Sequence, residues 1–188
     1  MTMFRTIPPE VLAVPLADAK VALRIEDDVT DLDGQVTTWI KGIIAEAENK
    51  TGQCLMRQTW EVRLDAFPDC EIELPHPVLE ITSVKYLDLS GLEQTLAPEA
   101  YRMKREAYRT SIRPIINTVW PDTLDESDAV VVTVECGYGD DPDDAPEAFT
   151  LYILAKLVEQ FDPAVRPDSG TVQSDFVERL LDGYACKF

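Results

Sequence analysis

The chain has 188 residues, of which 45% are hydrophobic and 28% are charged, and its formal net charge is −18 at pH 7. A chain of this length buries roughly 70% of its unfolded surface, so a folded core is expected, and the composition is that of a globular protein and not of a disordered one. The 35 acidic residues outnumber the 17 basic ones, which argues against a broad nucleic-acid-binding face because phosphate is repelled. No apolar run approaches the ~20 residues that span a membrane, and residues 1–11 lack the features of a signal peptide. We therefore expect a protein that folds in a cytosol.

The four cysteines are widely spaced and form no Cys-x-x-Cys pair. Neither a zinc site nor a thioredoxin-like motif is therefore predicted, and we expect reduced structural thiols. The four are Cys54, Cys70, Cys136 and Cys186.

Two amphipathic helices are predicted near the start of the chain, within residues 16–52. A short helix follows Pro15 and covers about 16–24. A longer helix follows, with apolar residues at three- and four-residue steps. Its apolar stripe consists of Val36, Trp39, Ile40, Ile43, Ile44 and Ala47. Asp31 is placed to cap the start of this helix, and Gly52 is placed to end it.

The middle of the chain, residues 57–139, changes to a two-residue period that is typical of half-buried strands. In RQTWEVRLDAF, the apolar residues Trp60, Val62 and Leu64 alternate with polar ones. The alternation recurs in EIEL and EITSVKYL, and the β-branched run AVVVTVECGYG ends the region. Roughly six short antiparallel strands are predicted, the first within 57–67 and the others at 71–74, 80–87, 101–104, 110–113 and 129–139.

The last part of the chain, residues 145–182, returns to the helical period. The acidic loop GDDPDDAPE places Pro146 in a first helical turn and carboxylates at the positive end of the helix dipole. The helix that follows has a wide apolar face of Phe149, Ile153, Leu154, Leu157, Val158 and Phe161. A last amphipathic helix is predicted over about 172–182, and residues 183–188 form a C-terminal tail.

The order of the predicted elements is helices, then strands, then helices. It predicts a single domain over residues 1–188 with an α+β fold. In this fold the N- and C-terminal helices form a helical body, and an antiparallel β subdomain is inserted between them.

The only histidine, His76, lies between Pro75 and Pro77. Leu74 and His76 each precede a proline and are therefore held extended, which predicts a stiff corner between two strands. A single histidine builds no multi-histidine metal site, and a Ser-His-Asp or Cys-His site would have to use it. We predict that His76 is a spacer in the corner. A small enzyme that uses His76 is the less favoured alternative.

Other clusters have the residue types of a site without its spacing. The acidic loop at 140–147 matches no EF-hand, and we interpret it as a solvated loop with a helix start. Gly137 and Gly139 lack the remaining glycine and the lysine of a phosphate-binding loop. Glu71 and Glu73 share one face of a strand and are interpreted as a solvent-facing strand edge. The sequence therefore predicts no catalytic, cofactor-binding or metal-binding residue and no cofactor.

Several segments, taken in their order along the chain, carry a likeness to a known family. They are LADAKVALRIEDDVTDLDGQVTTWIKGIIAEAENKTGQCLMRQTW, LPHPVLEITSVKYLDLSG, WPD at 120–122, VTVECGYGD and FVERLLDGYACKF. With this series the chain, from about Leu16 to Phe188, resembles the head-tail connector (adaptor) proteins of tailed bacteriophages and gene transfer agents.

The resemblance implies a non-enzymatic structural protein of the virion neck. Adaptors of this family assemble as a ring, usually of twelve copies, beneath the portal of a DNA-filled head and join the head to the stopper or tail. The implied partners are the portal protein, other copies of the chain and a stopper or tail-completion protein, with assembly in the cytoplasm of the bacterial host. DNA passes through the channel without specific binding, and no membrane is involved.

In this family the C-terminal segment reaches the portal. The resemblance therefore implies the portal-docking candidates Phe176, Leu180, Leu181, Tyr184 and Phe188. From the residues alone, two alternatives remain open for this segment: it packs back on its own core, or it is an interaction arm. An acidic binding module that mimics DNA is the alternative function, and the charge of −18 motivates it.

Overall fold

The structure is a computed structural model that describes residues 1–161 and 172–185. Over these ranges the chain has eight strands and four α-helices, which confirms the predicted α+β class. The strands are β1 (Thr2–Ile7), β2 (Gln58–Leu64), β3 (Ile72–Leu74), β4 (Val78–Leu87), β5 (Glu93–Thr95), β6 (Tyr101–Glu106), β7 (Arg109–Pro114) and β8 (Val130–Cys136). The helices are α1 (Leu16–Leu23), α2 (Asp33–Thr51), α3 (Glu147–Phe161) and α4 (Val172–Arg179).

The chain divides into two compact units. The β unit comprises Met1–Pro9 and Arg57–Gly137, and the helical unit comprises Glu10–Met56 and Tyr138–Phe188. That residues 1–188 act as a single connector domain stays a prediction.

The β unit contains two antiparallel sheets. One has five strands in the order β1-β2-β8-β4-β5, and the other has three in the order β3-β7-β6. Strand β8 lies in the middle of the larger sheet, where Val130, Val132 and Val134 are fully buried. These valines alternate with half-buried residues, as a strand with one face on a core requires.

Two strands of the larger sheet were not predicted. Strand β1 pairs with β2, so the N-terminal residues belong to the β unit, and the predicted start of the β region at residue 57 is too late. Five of the six residues of β1 are exposed, and all three residues of β5 are. Both are edge strands, and an edge strand with little buried surface shows no apolar alternation in its sequence.

The core of the helical unit is formed largely by the predicted apolar faces of α2 and α3. Val36, Ile40 and Ala47 of α2 are almost fully buried, as are Phe149 and Ile153 of α3. Other members of the two predicted faces are buried or half-buried, except Phe161, which is exposed. Tyr152 is also fully buried, although the predicted face omits it.

The two ends of α2 differ from each other in how they are capped. Gly52 adopts the left-handed conformation, with φ of 69°, and its N–H donates to the Glu48 carbonyl, which confirms the predicted C-cap. The predicted N-cap, Asp31, is wrong. The N-cap is Leu32, whose side chain has no hydrogen-bond acceptor, and the Asp33 N–H donates to the Thr30 carbonyl.

Phe149 and Leu151 lie on the same helix and provide a test of the helical core. Phe149 is fully buried and Leu151 is 48% exposed. We expect Phe149→Ala to lower the free energy of unfolding by about 3–5 kcal/mol, because it leaves a cavity. Leu151→Ala, the control, should cost less than about 1 kcal/mol. Urea unfolding followed by circular dichroism measures both, and equal losses would contradict this description of the core.

Candidate functional site

The docking candidates lie on α4 and on the turn that follows it, apart from Phe188, which is outside the described residues. Leu181 is buried in the core of the helical unit, and Leu180 and Tyr184 pack against that core. The Tyr184 ring lies 5.1 Å from the Phe149 ring, between centroids. Phe176 is different, because it is 58% exposed. Leu180, Leu181 and Tyr184 therefore pack back on the unit's own core, and Phe176 is left on the surface.

A buried amide holds the C-terminal turn. Gln53 is only 2% exposed, and its side-chain N–H donates to the Tyr184 carbonyl. The Tyr138 hydroxyl donates to the carbonyl oxygen of the same amide. A buried amide is stable when both of its ends are bonded, so Gln53 fixes the position of the turn. Nothing in the local sequence indicates that this glutamine, just after a helix-ending glycine, is buried.

A second contact joins α4 to the other helices through charge. The Glu178 carboxylate accepts hydrogen bonds from Lys50 of α2, at 2.6 Å, and from Lys156 of α3. Lys50 also donates to the Tyr152 hydroxyl at 3.0 Å, and that hydroxyl donates to Glu46 at 2.9 Å. One carboxylate therefore bridges two helices that are far from it in sequence.

The charges of this cluster shift one another's pKa values. The hydrogen bonds from Lys156 and Lys50 lower the pKa of Glu178. Burial alone would lower the pKa of Lys50, but its bonds to Glu178 and Tyr152 outweigh burial and raise that pKa. The pKa of Lys156 is raised by the same balance of burial against its bond to Glu178. All three groups are therefore charged at neutral pH.

The WPD segment, residues 120–122, lines a groove in the β unit. The Trp120 ring stacks on Phe67 with centroids 4.8 Å apart and planes 9° from parallel, and its indole N–H donates to the Cys70 carbonyl at 3.2 Å. The groove has a volume of about 500 Å³. Val119, which also lines it, is 88% exposed. The segment thus presents an exposed apolar surface next to a fixed aromatic pair.

His76 lies where the chain passes from the smaller sheet to the larger one. Strand β3 belongs to one sheet and β4 to the other, so the segment between them is the predicted corner. The His76 Nδ1 lies 3.0 Å from the Thr110 hydroxyl, and burial lowers the pKa of the imidazole. Its one described side-chain partner is thus a buried threonine of the same unit.

Some carboxylates of the acidic loop 140–147 accept hydrogen bonds from N–H groups of the same loop. The Asp143 N–H donates to the Asp141 carboxylate at 3.1 Å, and the Asp141 N–H donates to Asp144 at 3.0 Å. A side chain at Gly139 would collide with the Asp144 carboxylate, so the glycine is required by this close approach. The interpretation as a solvated loop and helix start is confirmed.

Glu73 lies in β3, an edge strand of the smaller sheet, and Glu71 lies just before it, but both are half-buried instead of solvent-facing, and they have partners that the sequence did not indicate. Arg109 forms ion pairs with both carboxylates, and Ser111 donates to Glu71 at 2.9 Å. These partners come from β7, more than 30 residues away along the chain, so only the pairing of β3 with β7 brings them close.

Two kinds of feature are absent from the part of the chain that the structure describes. Within it, no group of three or more His, Cys, Asp or Glu side chains is placed to hold a metal ion. Among the same residues, no helix has both the length and the apolar character to cross a membrane.

Comparison with known proteins gives likeness in structure and none in sequence. No protein-family model matches the chain, and no curated protein matches it. A chain in the virion of a native gene transfer agent particle matches with a TM-score of 0.81 at 19% identity. Chains in two neck structures of the same kind of particle, an empty one with C6 symmetry and a native one with C12 symmetry, match with TM-scores of 0.83 and 0.79 at 19% and 18% identity.

The structural likeness extends over the whole chain. Each of the three matches covers 100% of this chain and 97% of the other. At such identities the likeness establishes a shared fold, including both units.

The Glu178 bridge yields a prediction about α4. We expect Glu178→Gln to increase hydrogen exchange in residues 176–184 by about two- to fivefold at neutral pH, because partly exposed ion pairs contribute up to about 1 kcal/mol. Arg179→Gln is the matched control, since Arg179 and its partner Asp182 are 80% and 68% exposed. Its exchange should equal that of the wild type.

The same bridge predicts a pH dependence. The pKa of Glu178 in the folded chain is below its ordinary value of 4.5, so its contribution to stability is complete above pH 4.5 and is lost as the pH falls through the folded pKa. The difference between wild type and Glu178→Gln should therefore disappear in acid. A difference that persists there would show that the charge of Glu178 is not what holds α4.

Proposed function

We propose that this chain is a structural head-tail connector, or adaptor, of a phage-like particle such as a gene transfer agent. The observation that carries the proposal is the likeness over 100% of the chain to chains of gene transfer agent particles, two of them in neck structures. A fold alone does not establish function. The surfaces described above are therefore used as further support.

The oligomeric part of the proposal is a ring of twelve copies. The support is the C12 symmetry of one matched neck structure and the C6 symmetry of another, because twelve copies satisfy both symmetries. The proposed neighbours are a portal protein on one side of the ring and a stopper or tail-completion protein on the other. The proposed location is the neck of the particle, after assembly in the host cytoplasm.

A non-enzymatic role is supported by what the candidate catalytic groups do. His76 is half-buried against Thr110 in a corner between strands. Glu71 and Glu73 are paired with Arg109. These groups are committed to contacts within the β unit, which is the arrangement of structural side chains.

The charge of the chain suits a channel that DNA passes through. A net charge of −18 per copy repels phosphate, so DNA is not held by the wall of a ring made from such copies. This is the physical reason for proposing that DNA passes without specific binding.

For portal docking we propose Phe176 and Phe188 as the contacting residues. Phe176 is an exposed aromatic residue on α4, and aromatic residues, phenylalanine included, are enriched in protein–protein interfaces relative to the rest of the surface. Leu180, Leu181 and Tyr184 then act by packing α4 and its turn onto the helical core.

Electron microscopy of the purified chain mixed with portal-bearing, DNA-filled heads tests the proposed function. We expect a ring of this chain at the portal vertex. Heads incubated without the chain are the control. Vertices that remain bare at saturating protein concentration would contradict the connector proposal, and binding to DNA-binding proteins in place of heads would support the DNA-mimic alternative.

Docking through α4 has its own test. We expect Phe176→Asp to weaken head binding by about tenfold or more while the chain stays folded, because an exposed residue is changed. Deletion of residues 186–188 removes Phe188 and leaves Tyr184 in place. Val21→Asp is the matched control, because Val21 is an exposed apolar residue on α1 of the same unit, with 73% exposure. Undiminished binding by both variants would place the docking surface elsewhere.

A further inference from the structure

The β6–β7 hairpin is a basic segment in an acidic chain. Residues 101–114 contain five basic residues and one acidic residue, in a chain with 17 basic residues and a net charge of −18. The basic residues are Arg102, Lys104, Arg105, Arg109 and Arg113. Such a concentration gives this hairpin a local excess of positive charge, which attracts negative charge.

Part of this charge is neutralised within the smaller sheet. Lys104 lies 2.7 Å from Glu106 and 4.0 Å from Glu71. Arg109 pairs with Glu71 and Glu73. Near the turn of the hairpin, Lys104 and Arg109 are therefore balanced by acidic residues, and Arg105 donates to the backbone carbonyls of Val78 and Leu79.

The other end of the hairpin is not balanced. Arg102 and Arg113 lie directly opposite each other in the pairing of β6 with β7, so their side chains project from one face. Both are exposed, and neither forms an ion pair with a residue that the structure describes. Like charges directly opposite on a sheet are destabilising unless something neutralises them. This arginine pair thus fits a partner that supplies carboxylates or another anion.

A complementary surface exists on the same chain, in the loop that follows α1. Loop 26–31 contains Glu26, Asp27, Asp28 and Asp31, all of them exposed. The loop is held by its backbone: the Val29 N–H donates to the Glu26 carbonyl, and Lys20 donates to the Asp27 carbonyl at 3.1 Å. Among the described residues, none of the four carboxylates has a hydrogen bond or an ion pair. In the loop 140–147, by contrast, Asp141 and Asp144 are already bonded internally.

We propose that Arg102 and Arg113 of one copy bind the acidic loop 26–31 of a second copy. This inference rests on the proposed function, because it identifies how neighbouring copies of the ring contact each other. Planar guanidinium groups pair with carboxylates through two parallel hydrogen bonds, so two arginines match a loop with four carboxylates. DNA is the less favoured anion, because the charge of the whole chain repels it.

The charges also select the geometry of the contact. The basic pair of one copy repels the basic pair of another copy, and the acidic loops of two copies repel each other. An interface that places like surfaces together is therefore disfavoured. A contact between two different surfaces repeats from copy to copy, and it closes into a ring when the rotation allows. Complementary charges contribute register and specificity more than affinity. The contact is therefore expected to decide which neighbour is accepted.

A charge exchange tests this contact. Variant A is Arg102→Glu with Arg113→Glu, and variant B is Glu26→Lys with Asp27→Lys and Asp28→Lys, which changes the loop from four negative charges to three positive ones and one negative. We expect each variant alone to self-associate at least about tenfold more weakly than the wild type, because like charges now meet at every contact. An equimolar mixture of A and B should recover association to within about threefold of the wild type, because alternating copies pair opposite charges at every contact. Analytical ultracentrifugation at one fixed salt concentration measures all four samples.

Matched controls separate this contact from a general effect of charge. Lys41→Glu with Lys85→Glu changes the net charge by the same amount as variant A, at two exposed or half-exposed positions outside the hairpin. Circular dichroism confirms that each variant is folded. Equal weakening by this control, or failure of the A and B mixture to recover, would overturn the inference. The inference would also be overturned if the wild type bound duplex DNA and variant A were the one variant that lost this binding. The hairpin would then be a DNA site.

The same samples, added to portal-bearing heads, distinguish failure of this inference from failure of the proposed function. Rings formed by the wild type and equally by variant A would overturn the contact and leave the connector proposal in place. Bare vertices with the wild type, together with recovery of association in the A and B mixture, would support the contact and contradict the connector proposal. A wild type that neither self-associates nor forms rings would overturn both.

Discussion

The scarcity of positive charge is the constraint on which the tertiary contacts of this chain depend. With 35 acidic and 17 basic residues, the acids outnumber the cations, and Lys50, Lys156 and Arg109 each pair with two acids. Lys50 and Lys156 both bind Glu178 and thereby hold α4 to α2 and α3. Arg109 joins β7 to the two glutamates at the edge strand. The cations thus connect segments that are far apart in sequence. Apolar burial alone does not determine which groups meet at the surface of such contacts.

The apolar contacts differ from these ion pairs, because they are concentrated in a few central elements. In the β unit, β8 pairs with both β2 and β4 and buries every second side chain. In the helical unit, Phe149 packs between Tyr138 and Tyr184, with ring centroids 6.3 and 5.1 Å away. The C-terminal turn is consequently a part of the core, and its aromatic residue is unavailable as a free arm while that packing holds. Phe176 is free of this role, which is why the docking proposal shifts toward it.

The more surface an element buries, the more of it was predictable from the sequence. The α+β class, the stripe of α2 and strand β8 were predictable, because dense apolar periodicity records a buried face. Strand β1 was missed because it is exposed, and the partners of Glu71 were missed because a cross-strand contact leaves no local signal. Buried Gln53 and the uncapped start of α2 are decided by packing and backbone bonds that sequence spacing does not encode. The docking residues came from family resemblance alone and remain predictions.

Likeness of fold at 18–19% identity implies that the pattern of buried positions is retained while most side chains differ. Burial constrains the core residues of such chains, whereas their exposed charges are free to diverge as long as each contact between copies keeps its complementarity. Under the proposed contact between copies, the arginine pair of the β6–β7 hairpin and the loop 26–31 belong to this second class. If copies recognise one another through these two surfaces, a chain with the same fold and a different charge arrangement does not bind at this contact. A ring of identical copies is then selected by surface charge, although its shape is determined by the core.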